Sequence, residues 1–159
     1  MAPPTAAAAF SSPLGTIAAT ASDVGLRAVS FDVDLLAEVE QRPNAALDAL
    51  ARWLDAYFRR QFDALPDVPL EPVGTPVDHA VWMEVRKIGP GRSRTYTELA
   101  TTVGRPGSAR AVGGAVGRNP LLLIVPCHRV TGGGLALTGY AGGIERKAWL
   151  LRHEGLLLL

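Results

Sequence analysis

The chain has 159 residues, of which 48% are hydrophobic, so it has enough apolar material for one ordinary domain or two small ones. No apolar run approaches the length that crosses a membrane, and the first residues lack the basic and long apolar segments of a secretory signal. The single cysteine excludes an intramolecular disulfide, and the sequence therefore predicts a protein of a reducing compartment, the cytoplasm.

Charge is distributed unevenly along the chain. Residues 1–74 carry five arginines and ten acidic residues, a net charge of −5, whereas residues 75–159 carry eleven basic and five acidic residues, a net charge of +6. Eight of the basic residues lie between Arg86 and Arg129, where Glu98 is the one acidic residue. A solvated surface would account for a few of them, but this concentration favours nucleic acid as the partner of the second half.

The first elements predicted along the chain are a leader, a hairpin and a helix. Residues 1–12 consist mostly of alanine, proline and serine without periodicity, which predicts a disordered leader. Two alternating runs, 14–20 and 26–31, flank a Ser-Asp-Val-Gly turn and predict a β-hairpin. Apolar residues then recur at three- and four-residue steps, which predicts a helix over 45–60 with Asn44 as its N-cap.

A linker separates two predicted domains. Proline and glycine cluster in residues 63–76, and we expect this segment to end a small N-terminal α/β domain that spans residues 13–74. The second domain is expected over residues 75–159. Thr75 followed by Pro76 is a favourable N-terminus for its first helix.

Two short helices joined by a break are predicted next, and this arrangement is typical of a helix-turn-helix. Thr95 and Glu98 fit a capping box at the start of the first helix. The Gly-Arg-Pro-Gly sequence of residues 104–107 interrupts the chain, and Ser108 can cap a second helix that runs to about Arg118. This second helix is nearly free of bulky side chains, which close helix–helix packing or close approach to DNA would explain.

The single cysteine lies behind an apolar run. Leu121–Val125 predicts a buried strand that stops at Pro126, because proline cannot donate a ladder hydrogen bond. Cys127 and His128 follow directly. A lone cysteine is often only a small buried hydrophobe, but a thiol at a strand end beside a histidine also suits a nucleophile. The last predicted helix covers residues 145–154.

The sequence Pro126-Cys127-His128-Arg129-Val130 resembles the active-site motif of the methylated-DNA–protein-cysteine methyltransferases, which repair O6-alkylguanine. The segments 70–76, 92–100 and 137–143 also resemble this family, so the likeness covers nearly the whole chain. It implies an α/β protein: a small ribonuclease-H-like N-terminal domain and a mostly helical catalytic domain with a helix-turn-helix. It also implies irreversible transfer of an alkyl group to the cysteine, once per molecule.

The resemblance further implies a catalytic centre of four residues. Cys127 accepts the alkyl group, and His128 acts on it through a water molecule. Glu154 matches the carboxylate behind the imidazole, and Asn119 matches the asparagine that holds the active-site turn. His153 is a rival imidazole that lies outside the matched motif.

A second set of residues is implied to bind DNA in the minor groove and the flipped guanine. Arg110 matches the arginine that enters the base stack, Tyr96 the tyrosine that helps to rotate the neighbouring phosphate, and Tyr140 the tyrosine that stacks on guanine. Ala141 stands where some members have serine, so we expect that contact from backbone or from Tyr140. The full set is Tyr96, Ala109, Arg110, Gly113, Arg129, Val130, Tyr140, Ala141 and Gly142, with Arg129 expected to pair internally.

The partner expected is double-stranded DNA that contains O6-alkylguanine, with no membrane and no obligate protein partner, for a protein that acts as a monomer. No cofactor is expected, and no metal, because carboxylates with His79 make a poor tetrahedral set. Two alternatives stay open: a module that recognises alkylguanine without transfer, and a thiol hydrolase of small acyl substrates that uses Cys127 and His128.

Overall fold

The computed structural model describes residues 2–137 and 139–157, and the backbone alone of Leu135. Four residues lie outside the described part of the chain. They are Met1 of the predicted leader, Thr138 in the segment before Tyr140, and Leu158 and Leu159 at the end of the sequence.

The chain divides into two compact units, Met1–Val73 and Gly74–Leu159. The division lies one residue before the predicted boundary between residues 74 and 75. Among the described residues, no helix is long and apolar enough to cross a bilayer.

The first unit contains a three-stranded antiparallel sheet. Its strands are β1 (Ala6–Phe10), β2 (Ile17–Ala21) and β3 (Leu26–Ser30), in the order β1-β2-β3. The hairpin is as predicted, but the disordered leader is wrong for residues 6–10, because β1 pairs with β2 along its whole length. Alanine has little strand propensity of its own, so it is the pairing with β2 and the burial of Ala6 and Ala7 that make this segment a strand.

One helix, α1 (Ala45–Phe58), completes the core of the first unit. Asn44 caps it as predicted, since its Oδ1 accepts hydrogen bonds from the amides of Ala46 and Leu47. The Asn44 side-chain amide also donates to the carbonyl of Ser22 at 2.9 Å, which fastens the start of the helix to the hairpin turn. The helix buries one apolar side, made of Leu47, Leu50, Trp53, Leu54 and Tyr57.

The end of the predicted linker is part of the first unit. Leu26 donates to the carbonyl of Pro69, and Glu71 donates to the carbonyl of Leu26, so this segment extends the sheet beside β3. A Cβ on Gly25 would lie 2.8 Å from the Leu70 backbone, which explains why the hairpin turn carries glycine there. Proline-rich composition does not exclude pairing to a neighbouring edge, so this end of the first unit is also part of its sheet.

The second unit is mostly helical. Its elements are α2 (Pro76–Arg86), β4 (Arg94–Thr95), α3 (Tyr96–Thr102), α4 (Ala109–Gly117), β5 (Val130–Thr131) and α5 (Ile144–His153). Strands β4 and β5 form one short parallel pair, and α3 with α4 are the two predicted short helices. The capping box of Thr95 and Glu98 is present, whereas Ser108 precedes α4 without a side-chain capping bond.

The predicted strand Leu121–Val125 is wrong. The segment is fully buried, but its backbone bonds are local: Val125 donates to the carbonyl of Leu121 at 2.9 Å, and Ile124 to that of Leu122 at 2.9 Å. Leu123 has a φ of 73°, a left-handed conformation that no strand contains. A continuous apolar run signals burial without specifying a ladder partner, and here the buried segment is a tight turn.

A buried carboxylate holds two helices of this unit together. Asp78 accepts from the Thr75 amide in a capping box at the start of α2, and it also accepts from Arg118 Nη2 at 2.8 Å just after α4. The Arg118 guanidinium and the Thr75 bonds lower the pKa of Asp78, although burial opposes this. The cap fixes where α2 begins, and the ion pair fixes α4 against it.

Replacing Asp78 by alanine should lower the free energy of unfolding of the second unit by about 1–2 kcal/mol, the usual cost of a lost N-cap with a partly exposed ion pair. Lys87→Ala is the matched control, because Lys87 pairs with Glu84 through a side chain that is 65% exposed. Chemical denaturation should place that control within about 0.5 kcal/mol of wild type. Equal stability of Asp78→Ala and wild type would contradict the role of the Asp78 cap.

Candidate active site

A cavity of about 150 Å³ opens beside the cysteine. It is lined by Tyr96, Gly113, Val116, Gly117, Cys127, Gly139, Tyr140 and Ala141. We call residues 139–143 the pocket loop, because its first three residues, Gly139, Tyr140 and Ala141, line the cavity. The cavity is smaller than the roughly 300–1,000 Å³ of sites for drug-sized ligands, so it suits a single ring system.

Cys127 starts a one-turn 3-10 helix, Cys127–Arg129, directly after Pro126. The side-chain amide of Asn119 donates to its Sγ at 3.2 Å and to the Val125 carbonyl at 2.8 Å, while Asn119 Oδ1 accepts from the Leu121 amide. Asn119 thus holds the buried turn and the thiol together, the location that the sequence predicted for it. Burial raises the pKa of the Cys127 thiol to about 11, although the Asn119 bond and the charge of Lys147 act to lower it.

His128 is completely buried and faces Glu154, which immediately follows α5. Its Nε2 lies 2.7 Å from Glu154 Oε2. Since the carboxylate accepts, Nε2 carries the proton, and Nδ1 is left as the basic nitrogen of a neutral ring. Within the described part of the chain, Nδ1 of His128 has no hydrogen-bond partner.

Arg129 is buried beside the same carboxylate. Its Nε donates to Glu154 Oε1 at 2.8 Å, its Nη2 to Oε2 at 2.9 Å, and its Nη1 to the carbonyl of Ile88. It therefore braces the motif from inside, the internal pairing that the sequence analysis expected, and does not present its charge to a DNA surface. The neighbouring Val130 is also fully buried, so its side chain cannot contact DNA in this conformation.

The pKa values of His128 and Glu154 are both lowered, for different physical reasons. Burial lowers the pKa of His128, and this outweighs the opposite effect of Glu154, so the ring stays neutral. For Glu154, burial favours the protonated form, but the hydrogen bonds and charges of His128 and Arg129 prevail and lower its pKa to about 2. The site thus combines an ionised carboxylate with a neutral imidazole.

Lys147 is a buried residue of this site that the sequence analysis missed. It lies on α5, and its Nζ donates to the carbonyl of Val130 at 2.7 Å and to that of Gly139 at 3.3 Å. Burial lowers its pKa to about 8. Its position three and four residues before the buried Leu150 and Leu151 was the available signal, because a lysine on that stripe must enter the core.

The predicted binding residues separate into two groups. Tyr96 and Tyr140 line the cavity, and Ala141 is an exposed residue at its edge. Arg110 is exposed on the first turn of α4, next to the half-buried Ala109. Gly142 is buried and accepts a bond from Arg146 through its carbonyl, which makes it part of the loop's support.

Two of the three glycines of α4, Gly113 and Gly117, are not required by helix packing. A Cβ on Gly113 would make an ordinary contact at 3.5 Å with the Tyr96 ring, and a Cβ on Gly117 would meet nothing within 4 Å. Both glycines border the cavity instead. Of the two explanations for this smooth helix, close packing is therefore not the one that the geometry favours.

Half of the basic residues between Arg86 and Arg129 form ion pairs with carboxylates of the second unit. Lys87 and Arg94 pair with Glu84, Arg118 with Asp78 and Arg129 with Glu154. The other four, which are exposed, are Arg86, Arg92, Arg105 and Arg110. In residues 2–137 and 139–157, no group of three His, Cys, Asp or Glu side chains could hold a metal ion.

Fold and site together define a small two-domain protein whose buried thiol adjoins a pair of short helices. Family models match both units: "6-O-methylguanine DNA methyltransferase, ribonuclease-like domain" over residues 7–72, and the DNA binding domain of the same description over residues 76–156. The chain belongs to the methylated-DNA–protein-cysteine methyltransferase family, with the ribonuclease-like and helix-turn-helix architecture that the sequence predicted.

Individual proteins of this family are similar to the chain in sequence and in structure. The methylated-DNA–protein-cysteine methyltransferase of Shigella flexneri is 50% identical over 67% of this chain and 62% of its own length, so the match spans less than two thirds of that relative. The protein of the same name from Methanosarcina acetivorans is 39% identical over 93% of this chain and 97% of its own. A crystal structure of Mycobacterium tuberculosis OGT in complex with DNA has a TM-score of 0.83 at 36% identity, covering 94% and 92% of the two chains.

Acid should destabilise the protein through Glu154. Its folded-state pKa of about 2 lies below the usual 4.5, so its stabilising contribution is complete above pH 4.5 and is lost as the pH falls towards 2. The shift corresponds to roughly 3 kcal/mol. In Glu154→Gln this part of the pH dependence should be absent, so the difference in unfolding free energy from wild type should shrink as the pH falls.

Urea denaturation followed by fluorescence at several pH values measures this difference. Glu145→Gln, which changes an exposed glutamate of the same helix, is the matched control and should keep the wild-type acid dependence. A pH-independent difference for Glu154→Gln would mean that the Glu154 carboxylate is not held ionised in the folded protein.

Proposed function

We propose that the protein repairs DNA by flipping O6-alkylguanine out of the duplex and transferring the alkyl group to Cys127. The observation that carries the proposal is the position of Cys127, which lies in the wall of the cavity directly before the buried pair of His128 and Glu154. Membership of the family supports the same activity. We place this chemistry in the cytoplasm, where a free thiol stays reduced.

The chemical step needs a thiolate. A thiol whose pKa is about 11 is almost entirely protonated at neutral pH, so a base must take its proton. The basic Nδ1 of His128 would accept that proton through one water molecule, and Glu154 would stabilise the resulting imidazolium. The sulfur then forms a bond to the alkyl carbon while the bond from that carbon to guanine O6 breaks. The displaced guanine takes up one proton, which balances the one lost by the thiol.

The thioether formed in this step is stable, so each molecule acts once. No cofactor takes part, because the alkyl group moves directly from oxygen to sulfur. Asn119 would keep Sγ in line with the incoming carbon through its bond at 3.2 Å.

Delivery of the damaged base would use the exposed face of the two short helices. Arg110 would take the place of the flipped nucleotide in the stack, and Tyr96 would act on the neighbouring phosphate. Gly113 and Gly117 leave α4 without side chains beside the cavity, which lets a nucleic-acid backbone approach closely. Tyr140 would stack on the guanine ring, and the Ala141 backbone or Tyr140 would bond its oxygen, since alanine has no hydroxyl.

Incubation with duplex DNA that carries O6-methylguanine should add one methyl group to the protein and no more. Intact-protein and peptide mass spectrometry should place it on Cys127, because this is the only cysteine in the chain. Cys127→Ala should show no mass change. The matched control is the same duplex with unmodified guanine, which should leave the wild-type protein unchanged.

The two alternatives give different outcomes in the same experiment. Tight binding of the modified duplex without a mass change would identify a recognition module. Absence of any preference for the lesion, with turnover of a thioester, would identify a thiol hydrolase. Demethylation of more than one O6-methylguanine by one molecule of protein would also refute the single-event mechanism.

The salt dependence of DNA binding should reflect the exposed arginines that are left to contact phosphates, Arg86, Arg92 and Arg105, and not all eight basic residues of the stretch. The logarithm of the association constant should fall against the logarithm of salt concentration with a slope of about −3, since each phosphate contact contributes about −0.9. In fluorescence anisotropy, Arg92→Ala or Arg105→Ala should reduce the magnitude of this slope by about 1. Arg52→Ala, in the acidic first unit, should not change it, and a wild-type slope near −7 would mean that the internally paired residues also contact DNA.

A further inference from the structure

Three features of the second unit remain unused by the proposed reaction: the buried Lys147, the ion pair of Asp78 with Arg118, and a groove at the start of α2. The Asp78 pair acts on helix position, and nothing in the structure shows what covers the groove. Lys147 is different because its bonds end on two sides of the reaction site. One end is the backbone that follows the cysteine turn, and the other is the pocket loop.

We propose that Lys147 is a positioning residue that holds the pocket loop against the active-site turn, so that a flipped base is received at the correct distance from Cys127. The inference rests on the proposed function and adds a residue to it. Lys147 does not touch the reacting atoms. It acts through the backbone of Val130 and Gly139.

The geometry of the two bonds supports this role. Val130 begins β5 immediately after the Cys127–Arg129 turn, and its carbonyl accepts from Lys147 Nζ at 2.7 Å. Gly139 is in the cavity wall, and its carbonyl accepts from the same nitrogen at 3.3 Å. A single ammonium group therefore joins the segment that carries the nucleophile to the segment that covers the base.

The composition of the loop explains why it needs such a fastening. Gly139 and Gly143 both have positive φ, 30° and 94°, and glycine loses more conformational entropy on ordering than any other residue. The turn closes with a bond from the Gly143 amide to the Tyr140 carbonyl at 2.9 Å, and Arg146 donates to the Gly142 carbonyl at 3.1 Å. Lys147 and Arg146 are neighbours on α5, so one helix supplies both side-chain supports of the loop.

The choice of lysine also points to a specific task. A buried ammonium costs several kcal/mol unless it is well hydrogen-bonded, and methionine or leucine would fill the same space without that cost. Lysine offers three donors and no acceptor, which matches a site of converging backbone carbonyls. The need to hold the carbonyls of Val130 and Gly139 at fixed positions would explain why a charged lysine stands here and not an apolar residue.

A direct electrostatic effect on the thiol is the competing explanation, because a positive charge near Cys127 favours the thiolate. The two accounts differ in which reactions they affect. Loop positioning matters when guanine occupies the pocket and is irrelevant to a small reagent. An effect on the thiol would slow every reaction of Cys127 to the same degree.

The test compares two reactions of Cys127 in the full chain. The first is methyl transfer from duplex DNA with O6-methylguanine, measured by mass spectrometry over a range of DNA concentrations to separate binding from the limiting rate. The second is alkylation by iodoacetamide without DNA. The variants are Lys147→Met, which keeps most of the length without donors, and Lys147→Gln, which replaces the ammonium by an uncharged amide donor. Arg152→Met, which alters an exposed basic residue of the same helix, is the matched control.

For Lys147→Met the limiting transfer rate should fall about tenfold or more, as expected for misplaced reactants, with half-saturating DNA and the iodoacetamide rate within about threefold of wild type. The limiting transfer rate of Lys147→Gln should lie between those of Lys147→Met and wild type, and that of Arg152→Met should equal the wild-type rate. A transfer rate in Lys147→Met within about threefold of wild type would overturn the proposal, and so would an equal loss in both reactions.

Circular dichroism of each variant establishes that it is folded. If Lys147→Met does not fold, the same two rates in Lys147→Gln decide the question by the same criteria. Failure of wild-type protein to accept the methyl group would instead remove the proposed function, so the two failures are distinguishable.

Discussion

One buried carboxylate supports both the fold of the second unit and its chemistry. Glu154 accepts from His128 Nε2 at 2.7 Å and from Arg129 at 2.8 and 2.9 Å, and Arg129 continues to the carbonyl of Ile88. The end of α5, the turn that follows Cys127 and the segment after α2 therefore meet at a single charge. A buried charge without its partners would cost several kcal/mol. The positions of these three segments are therefore coupled, because moving one of them away would leave a charge unpaired. The same contact fixes the imidazole tautomer, and this leaves Nδ1 as the base.

Without a substrate, the site contains an unreactive thiol and a neutral imidazole. Burial raises the pKa of the thiol and keeps His128 neutral, so the resting protein carries a protonated cysteine within the described fold. The proposed single-event reaction would benefit from this, since a permanent thiolate would be consumed by any electrophile. In the proposed reaction, the rate would depend on how accurately the alkyl carbon is placed against the sulfur. The groups that shape the cavity would therefore affect this rate. Asn119 holds the sulfur, and the proposed role of Lys147 is to hold the loop opposite.

Local sequence signals predicted the helices well. Asn44, Thr75 and the pair of Thr95 with Glu98 mark helix starts through bonds to amides two or three residues away, and such bonds need no knowledge of the rest of the fold. The errors occurred where partners are distant. The alanines of β1 become a strand only because β2 lies beside them, and the run Leu121–Val125 is a turn whose amides at Ile124 and Val125 bond to Leu122 and Leu121. Composition shows how the charge is distributed along the chain, but it cannot show which basic residues form ion pairs within the unit.

The sequence by itself determined the family and the helix starts, because these depend on residue identities and on contacts within a few positions, and it singled out Cys127 as the proposed nucleophile. It also determined which histidine and glutamate to consider, through the motif and its resemblance. Only the tertiary structure decided that Arg129 faces inwards, that half of the basic stretch forms ion pairs within the unit, and that Lys147 enters the core between the active-site turn and the pocket loop. Those outcomes depend on which backbone carbonyls and carboxylates converge in space, and convergence of segments far apart in the chain is set by packing and not by local sequence.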